Sequence, residues 1–325
     1  MAMKTMMEAI RDAIREEMRF NNALFIIGED VGPYGGEMGM TKGLWEEFGD
    51  DRVKDAPISE ATIAGIGLGA ALTGCPSIPE IPFSDFLAIA LDQVVNQAAK
   101  MNYMFGGKAK IPMILRAPIG AYQRGAAQHS QSPEAWFMHS PGIKVVIPSN
   151  PSDAKGLIRT AFRESSPVLF LEHKKLYHIK GEVPEGNYEI PFGQASIVQS
   201  GSDVSIVAIG YMVQFAKKAA QKLADRGITC EIIDPRTLIP LDDECIAESV
   251  RRTGRLIVVH EAPKTCGVGA EIAARITEKA WGALKAPVVR VAGEDVPIPF
   301  SPVLEDFVLP NAEKIERAVL DLMER

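Results

Sequence analysis

"VSIVAIGYMVQFAKKAAQKLADRGITCEIIDP", Val204 to Pro235, decides the fold class. Its first seven residues are a short apolar run rich in β-branched side chains and closed by Gly210, which reads as a buried strand. From Met212 to Asp225 the apolar residues return at helical spacing among lysines, and "CEIIDP" is a second apolar run. Strand, helix and strand in so short a span predict a mostly parallel sheet covered by helices on both faces.

The same alternation extends in both directions. Downstream, "RLIVVHE" and "PVVRV" read as strands, with helices expected near Asp242–Arg252, at Gly269–Leu284 and finally from Asn311 to Glu324. Upstream, "ALFIIGED", "SIPEI", "IPMILRAP", "KVVIPS" and "PVLFLEH" are strand-like, and Asp85–Phe105 and Pro151–Arg163 are helical. Asn150 is a cap and Pro151 suits a first helical turn. At the N-terminus Thr5 and Glu8 form a capping box ahead of Met6, Ile10, Ile14 and Met18 on one helix face. The text changes to Gly, Pro and Ser in "GEVPEGNYEIPFGQASIVQSGSD", a connection. The expected architecture is therefore α/β: two doubly wound, mostly parallel-sheet domains at 1–180 and 203–325, with a linker at 181–202.

A chain of 325 residues suits about two domains. A net charge of −7 without a Lys/Arg stripe lacks the electrostatic footprint of a nucleic-acid binder. Cys75, Cys230, Cys245 and Cys266 lie far apart with no C-x-x-C pair, which excludes the usual zinc and iron–sulfur spacings and suggests free buried thiols. The first twenty residues carry acids throughout and no apolar core, so neither a signal peptide nor a membrane span is expected, and the location implied is cytoplasmic.

"GIGLGA", Gly65 to Ala70, fails the G-x-G-x-x-G spacing and lies inside an apolar helical segment, where small residues serve close packing. No P-loop motif occurs. Glu29, just past the strand "ALFIIGED", stands where ligands bind in open α/β sheets, although acidic loops are commonly just solvated. Glu60 follows a Ser59 cap at the start of an apolar helix. A carboxylate there favours the helix dipole whatever its function; walled by Ile58 and Ile63, it would also hold a proton more tightly.

"GEDVG", "GGEMGMTKGL", "DRVKDAPISE", "DQVVNQAAKMNYMFGG", "QHSQSPEAWFMHSPGIKVV" and "PSNPSDAKGL", in this order, resemble the β subunit of the thiamine diphosphate-dependent E1 component of 2-oxo acid dehydrogenase complexes. "IIDPRTLIPLD", "RLIVVHEA" and "GAEIAA" extend the resemblance into the second domain. It implies a transketolase-like pyrimidine-binding domain followed by a transketolase C-terminal-like domain. It also implies that Glu60 bonds N1′ of the cofactor's aminopyrimidine, that Phe86 stacks on that ring, that Pro82 and Ile58 line the pocket and that Glu29 lies near the cofactor on a proton path.

The resemblance places His129 on an active-site loop, where its imidazole would hold a substrate carboxylate or carbonyl oxygen and assist acyl transfer to a lipoyl group. His139, beside Trp136, Phe137 and Met138, reads as packing. No G-D-G occurs in the chain, so Mg²⁺ and the diphosphate are expected on a partner α chain, in an α₂β₂ heterotetramer that docks on a lipoyl-bearing acyltransferase, E2. A family potassium site would fall near Ala161, where Glu164 and Ser166 depart from the usual Asp and Asn. The strings look most like pyruvate- or acetoin-type subunits and less like branched-chain ones. A self-sufficient transketolase lacks its diphosphate motif here, and a ferredoxin-coupled subunit its cysteine clusters. The alternative from another class is a non-catalytic scaffold for the α chain and the acyltransferase core.

Overall fold

The computed structural model describes residues 1–324. The chain divides into two compact units: Met1–Ile119 with Trp136–Phe192, and Gly120–Ala135 with the chain from Gly193 on.

Up to Phe192 the elements are β1 (Ala2–Thr5), α1 (Met6–Phe20), β2 (Phe25–Gly28), α2 (Trp45–Phe48), β3 (Val53–Asp55), α3 (Glu60–Leu72), β4 (Ser77–Glu80), α4 (Leu87–Leu91), α5 (Ala99–Met104), β5 (Ile114–Ile119), α6 (Glu134–Met138), β6 (Lys144–Val146), α7 (Pro151–Ala161), β7 (Val168–His173) and β8 (Lys180–Val183). Parallel pairing in the first unit gives the order β6-β7-β5-β4-β2-β3. The central strands β2, β4, β5 and β7 are buried along their whole lengths, which is why they read as continuous apolar runs.

The expected capping box is present: Thr5 N and Oγ1 each donate to Glu8 Oε2 at 2.8 Å, and Glu8 N donates to Thr5 Oγ1 at 3.2 Å. α1 is tied to α7 and the turn that follows it: Arg159 Nη1 on α7 donates to Glu16 at 2.7 Å, and Arg163 just past its end forks onto Glu17 at 2.6 and 2.8 Å. α3 comes close to β4 through Gly67, where a Cβ would meet Pro79 Cγ at 2.7 Å, so the small-residue reading of "GIGLGA" holds there. Asp85–Phe105 is helical as expected, with a π-helical stretch at Asp92–Ala98 between α4 and α5 that composition does not announce.

The second unit continues with β9 (Ser196–Gln199), β10 (Val204–Ala208), α8 (Met212–Ala224), β11 (Cys230–Asp234), β12 (Thr237–Ile239), α9 (Asp243–Thr253), β13 (Leu256–Pro263), α10 (Val268–Ala280), β14 (Val289–Gly293), α11 (Pro302–Val308) and α12 (Ala312–Met323). Its sheet has the order β14-β13-β10-β11-β9, parallel except for β9. Ile206, Ile232, Ile257 and Val259 of the sheet pack with Met212, Ala216 and Leu223 of α8 and Ile315, Val319 and Leu322 of α12. Each of the larger of these side chains, Val, Leu, Ile and Met, contributes roughly 1.5–3 kcal/mol over leaving it in water.

The span expected as a linker, 181–202, differs: it holds most of β8 and all of β9, and the unit boundary falls at Phe192. Both strands are short and lie at sheet edges, so neither needs the apolar run that marks a buried strand. The thiols also differ. Cys230 is buried, with its thiol pushed up to about 12 by desolvation, whereas Cys75 and Cys266 are exposed. Among the described residues no helix is long and apolar enough to cross a membrane.

Candidate active site

The carboxyl ends of the first unit's parallel strands carry most of the candidate residues. β2 ends at Gly28, so Glu29 is the next residue; β4 ends at Glu80, two residues before Pro82; β3 ends at Asp55, five residues before Glu60 opens α3. Parallel pairing sets Gly28 beside Glu80 and Glu80 beside Arg116.

Glu60 is 5% exposed at the first position of the apolar helix α3. Ser59 stands at the cap position but makes no capping bond; its hydroxyl donates to Pro57 O at 2.9 Å, contrary to the reading of it as a cap. Of the two residues expected to wall Glu60, Ile63 is fully buried and Ile58 is 81% exposed. Ile58 lies on the turn before α3, and in this chain its side chain finds no apolar cover.

Glu29 is half-buried, and its Oε1 is buried without a hydrogen-bond partner among the described residues. Burial holds its carboxyl above the ordinary value, and the carboxylates of Glu60 and Asp30 add to the rise. The fold thus brings Glu29 and Glu60 within electrostatic reach of each other. Phe86 is half-buried and meets Phe83 edge to face, with ring centroids 6.2 Å apart; Pro82 is likewise half-buried.

Beneath these residues runs a buried network that reading the motifs missed. Arg116 forks onto Glu172, with Nε to Oε1 at 2.7 Å and Nη2 to Oε2 at 2.8 Å, and Nη1 donates to Glu80 Oε2 at 2.5 Å. Tyr177 donates its hydroxyl to Glu172 Oε2 at 2.8 Å. One cation faces two carboxyls, and Glu172 has the bidentate share, so Glu80 is the carboxyl that burial pushes upward. A lone arginine inside the apolar strand "IPMILRAP" was the available signal.

His129 lies on the Gly120–Ala135 segment, which belongs with the second unit. Tyr122, Arg124 and Ala126 there take the left-handed conformation, at φ 63°, 62° and 57°. Side chains of the second unit hold them. Glu261 Oε1 accepts Ala121 N at 2.6 Å and Ser132 Oγ at 3.3 Å; Glu305 accepts Tyr122 N at 3.1 Å and pairs with Arg124; Asp306 accepts Arg124 at 2.8 and 3.1 Å. Tyr122 donates its hydroxyl to Pro310 O at 2.6 Å and packs against Tyr211 and Phe215. His129 is half-buried.

Glu134, at the end of this segment, is 2% exposed, with Oε2 unpartnered among the described residues. Desolvation pushes its carboxyl up to about 8, and Glu261 adds a like charge. "SPEAWF" hid it, since an acid after Ser-Pro reads simply as a helix start. His139 is exposed and Trp136 is 48% exposed, so of the run read as packing only Phe137 is fully buried. Near Ala161, the Lys144 ammonium pairs with Glu164 and donates to Ser166 Oγ at 2.9 Å, so a fixed cation already stands at these two side chains.

Residues 2–180 match the transketolase pyrimidine-binding domain and residues 193–315 the transketolase C-terminal domain. The acetoin:2,6-dichlorophenolindophenol oxidoreductase subunit beta of Cupriavidus necator is 48% identical over 97% of this chain and 96% of its own length. The pyruvate dehydrogenase E1 component subunit beta of Rhizobium meliloti is 46% identical over 98% of this chain and 70% of its own, and the 2-oxoisovalerate dehydrogenase subunit beta of Bacillus subtilis is 42% identical over the whole of both. Among solved structures, a split-gene transketolase described as an inactive β4 tetramer shares the fold, with a TM-score of 0.81 at 23% identity over 98% of both chains. With both domains matched in order and β subunits at 42–48% identity over 97–100% of this chain, the chain belongs to the transketolase-like family of E1 β subunits of pyruvate and acetoin dehydrogenases and their relatives.

Proposed function

We propose that this chain is the β subunit of a thiamine diphosphate-dependent E1 enzyme that cleaves pyruvate or acetoin and passes the acyl group to a lipoyl-bearing acyltransferase. The observation that carries the reading is the carboxyl pair Glu29 and Glu60 within electrostatic reach of each other, one oxygen of it buried and unpartnered, with the part-accessible ring of Phe86 on the stretch that follows β4. That set fits an aminopyrimidine: a carboxyl to meet a ring nitrogen, an aromatic to cover the ring. When bound, thiamine diphosphate supplies a carbon nucleophile and a sink for the electrons of the broken C–C bond.

Glu60 holds and exchanges a proton at N1′ of the aminopyrimidine. Phe86, Pro82 and Ile58 line the ring, and Glu29 receives or returns a proton by way of Glu60. His129 holds the substrate's carboxylate or carbonyl oxygen and assists acyl transfer.

An α chain completes the site with Mg²⁺ and the diphosphate, in an α₂β₂ assembly. Supporting this division is the missing G-D-G. Potassium is left out of the reading because Lys144 supplies the positive charge at Glu164 and Ser166. Acetoin or pyruvate is favoured over branched-chain 2-oxo acids by identities of 48% and 46% against 42%.

Dye reduction with thiamine diphosphate and Mg²⁺, run on the chain alone and with its α partner against pyruvate, acetoin and branched-chain 2-oxo acids, tests the reading. Activity only in the mixture is expected; activity of the chain alone would overturn the shared site. Full activity of Glu60→Gln in the mixture would favour the scaffold alternative.

A further inference from the structure

The Gly120–Ala135 segment carries backbone strain that its own sequence does not relieve. Tyr122, Arg124 and Ala126 are non-glycine residues in the left-handed region, a conformation that persists only where surrounding contacts impose it. Those contacts are largely carboxylates. Glu261 on β13 anchors both ends of the segment, through Ala121 N and Ser132 Oγ, while Glu305 and Asp306 take Tyr122 N and the charge of Arg124.

Glu134 sits at the close of the segment with a buried, unpartnered oxygen, and Glu261, the carboxylate acting on it, repels its ionised form. Glu261 in turn acts on the phenols of Tyr122 and Tyr211, and the cation of the segment, Arg124, is engaged by Glu305 and Asp306.

We propose that Glu134 is a positioning residue for the His129 segment: seated as the neutral acid beside Glu261, it lets the strained segment stay closed, and opening releases its proton to water. The proposal rests on the reading of His129 as an active-site group. An open segment exposes Glu134 to solvent, where it titrates near its ordinary value of 4.5, whereas in the closed segment it titrates near 8. Between those values opening sheds one proton, so the open fraction rises about tenfold per pH unit and levels off once the closed form itself ionises.

Hydrogen exchange of residues 120–135, followed by mass spectrometry on the assembled α–β enzyme across this pH range, tests the idea. After correction for intrinsic exchange chemistry, the opening constant should climb about tenfold per pH unit and flatten near pH 8 in the wild type, and be flat in Glu134→Gln. A flat wild-type profile, or the same climb in Glu134→Gln, overturns the proposal; if the variant does not assemble, the wild-type profile alone decides. A merely structural role for Glu134 would change the level of exchange and leave its pH slope. Lipoyl acylation by His129→Ala is measured in parallel. Unimpaired transfer with the exchange profile intact would overturn the reading of His129 and leave the role of Glu134 in the segment supported.

Discussion

Arg116 and Glu172 form a bidentate ion pair at 2.7 and 2.8 Å in the interior of the first unit, and neither residue is more than 1% exposed. The pair joins β5 to β7, and the third nitrogen of the guanidinium reaches Glu80 on β4. Truncating one partner of a buried pair leaves an uncompensated charge and costs roughly 3–5 kcal/mol. Arg116→Met should therefore lower the thermal midpoint of the assembled enzyme sharply, whereas Tyr177→Phe, which removes one hydroxyl from Glu172, should cost only about 1–3 kcal/mol. Calorimetry of the two variants checks the order, and equal losses would contradict it.

Glu60→Gln keeps the size of the side chain and its burial but removes the exchangeable carboxyl proton. Activity in dye reduction should fall by about 10²–10⁴-fold, the usual worth of a positioned proton-transfer group. Cofactor binding, followed by fluorescence quenching, should change far less, which separates loss of chemistry from loss of the site.

His129→Ala should depress acyl transfer to a lipoyl-bearing domain by about 10²-fold or more. Because His129 lies on a segment tied to the second unit by Glu261 and Glu305, a substitution that loosens those ties should act in the same direction. Glu261→Ala tests this through rates of reductive acylation alongside its own melting curve.

His260 on β13 is fully buried, and desolvation lowers its pKa to about 4, with Arg290 adding a like charge. A histidine held neutral contributes stability above its ordinary value of 6.5, and that stability drains away as pH falls from there to about 4. The loss is on the order of 3 kcal/mol. His260→Gln should flatten this acid limb in denaturant unfolding measured at a series of pH values; an unchanged limb would place the acid sensitivity elsewhere.

The regular elements were legible where local chemistry sufficed. The capping box at Thr5, the Asn150 cap with Pro151, and the apolar runs of β2, β5, β7 and β10 specify helix starts and buried strands by hydrogen-bonding capacity and burial alone. α11 went unread. Pro302 opens it, but the exposed Val303, Leu304 and Phe307 give no inward-facing stripe. The two short edge strands β8 and β9 were hidden for a similar reason, since partners in space supply what their composition does not.

The candidate site divides the same way. Residue identity and motif order marked Glu29, Glu60, Pro82, Phe86 and His129, because a carboxyl past a strand, a carboxyl at a helix start and a histidine among short polar residues are visible in one dimension. The tertiary structure alone decided which of them interact. It coupled Glu29 to Glu60, left Ile58 in the open, buried Glu134 against Glu261, and assigned the His129 segment to the second unit. The physical reason is that desolvation and like-charge repulsion depend on distance through space, and a linear sequence fixes which groups exist long before it fixes which of them lose their water together.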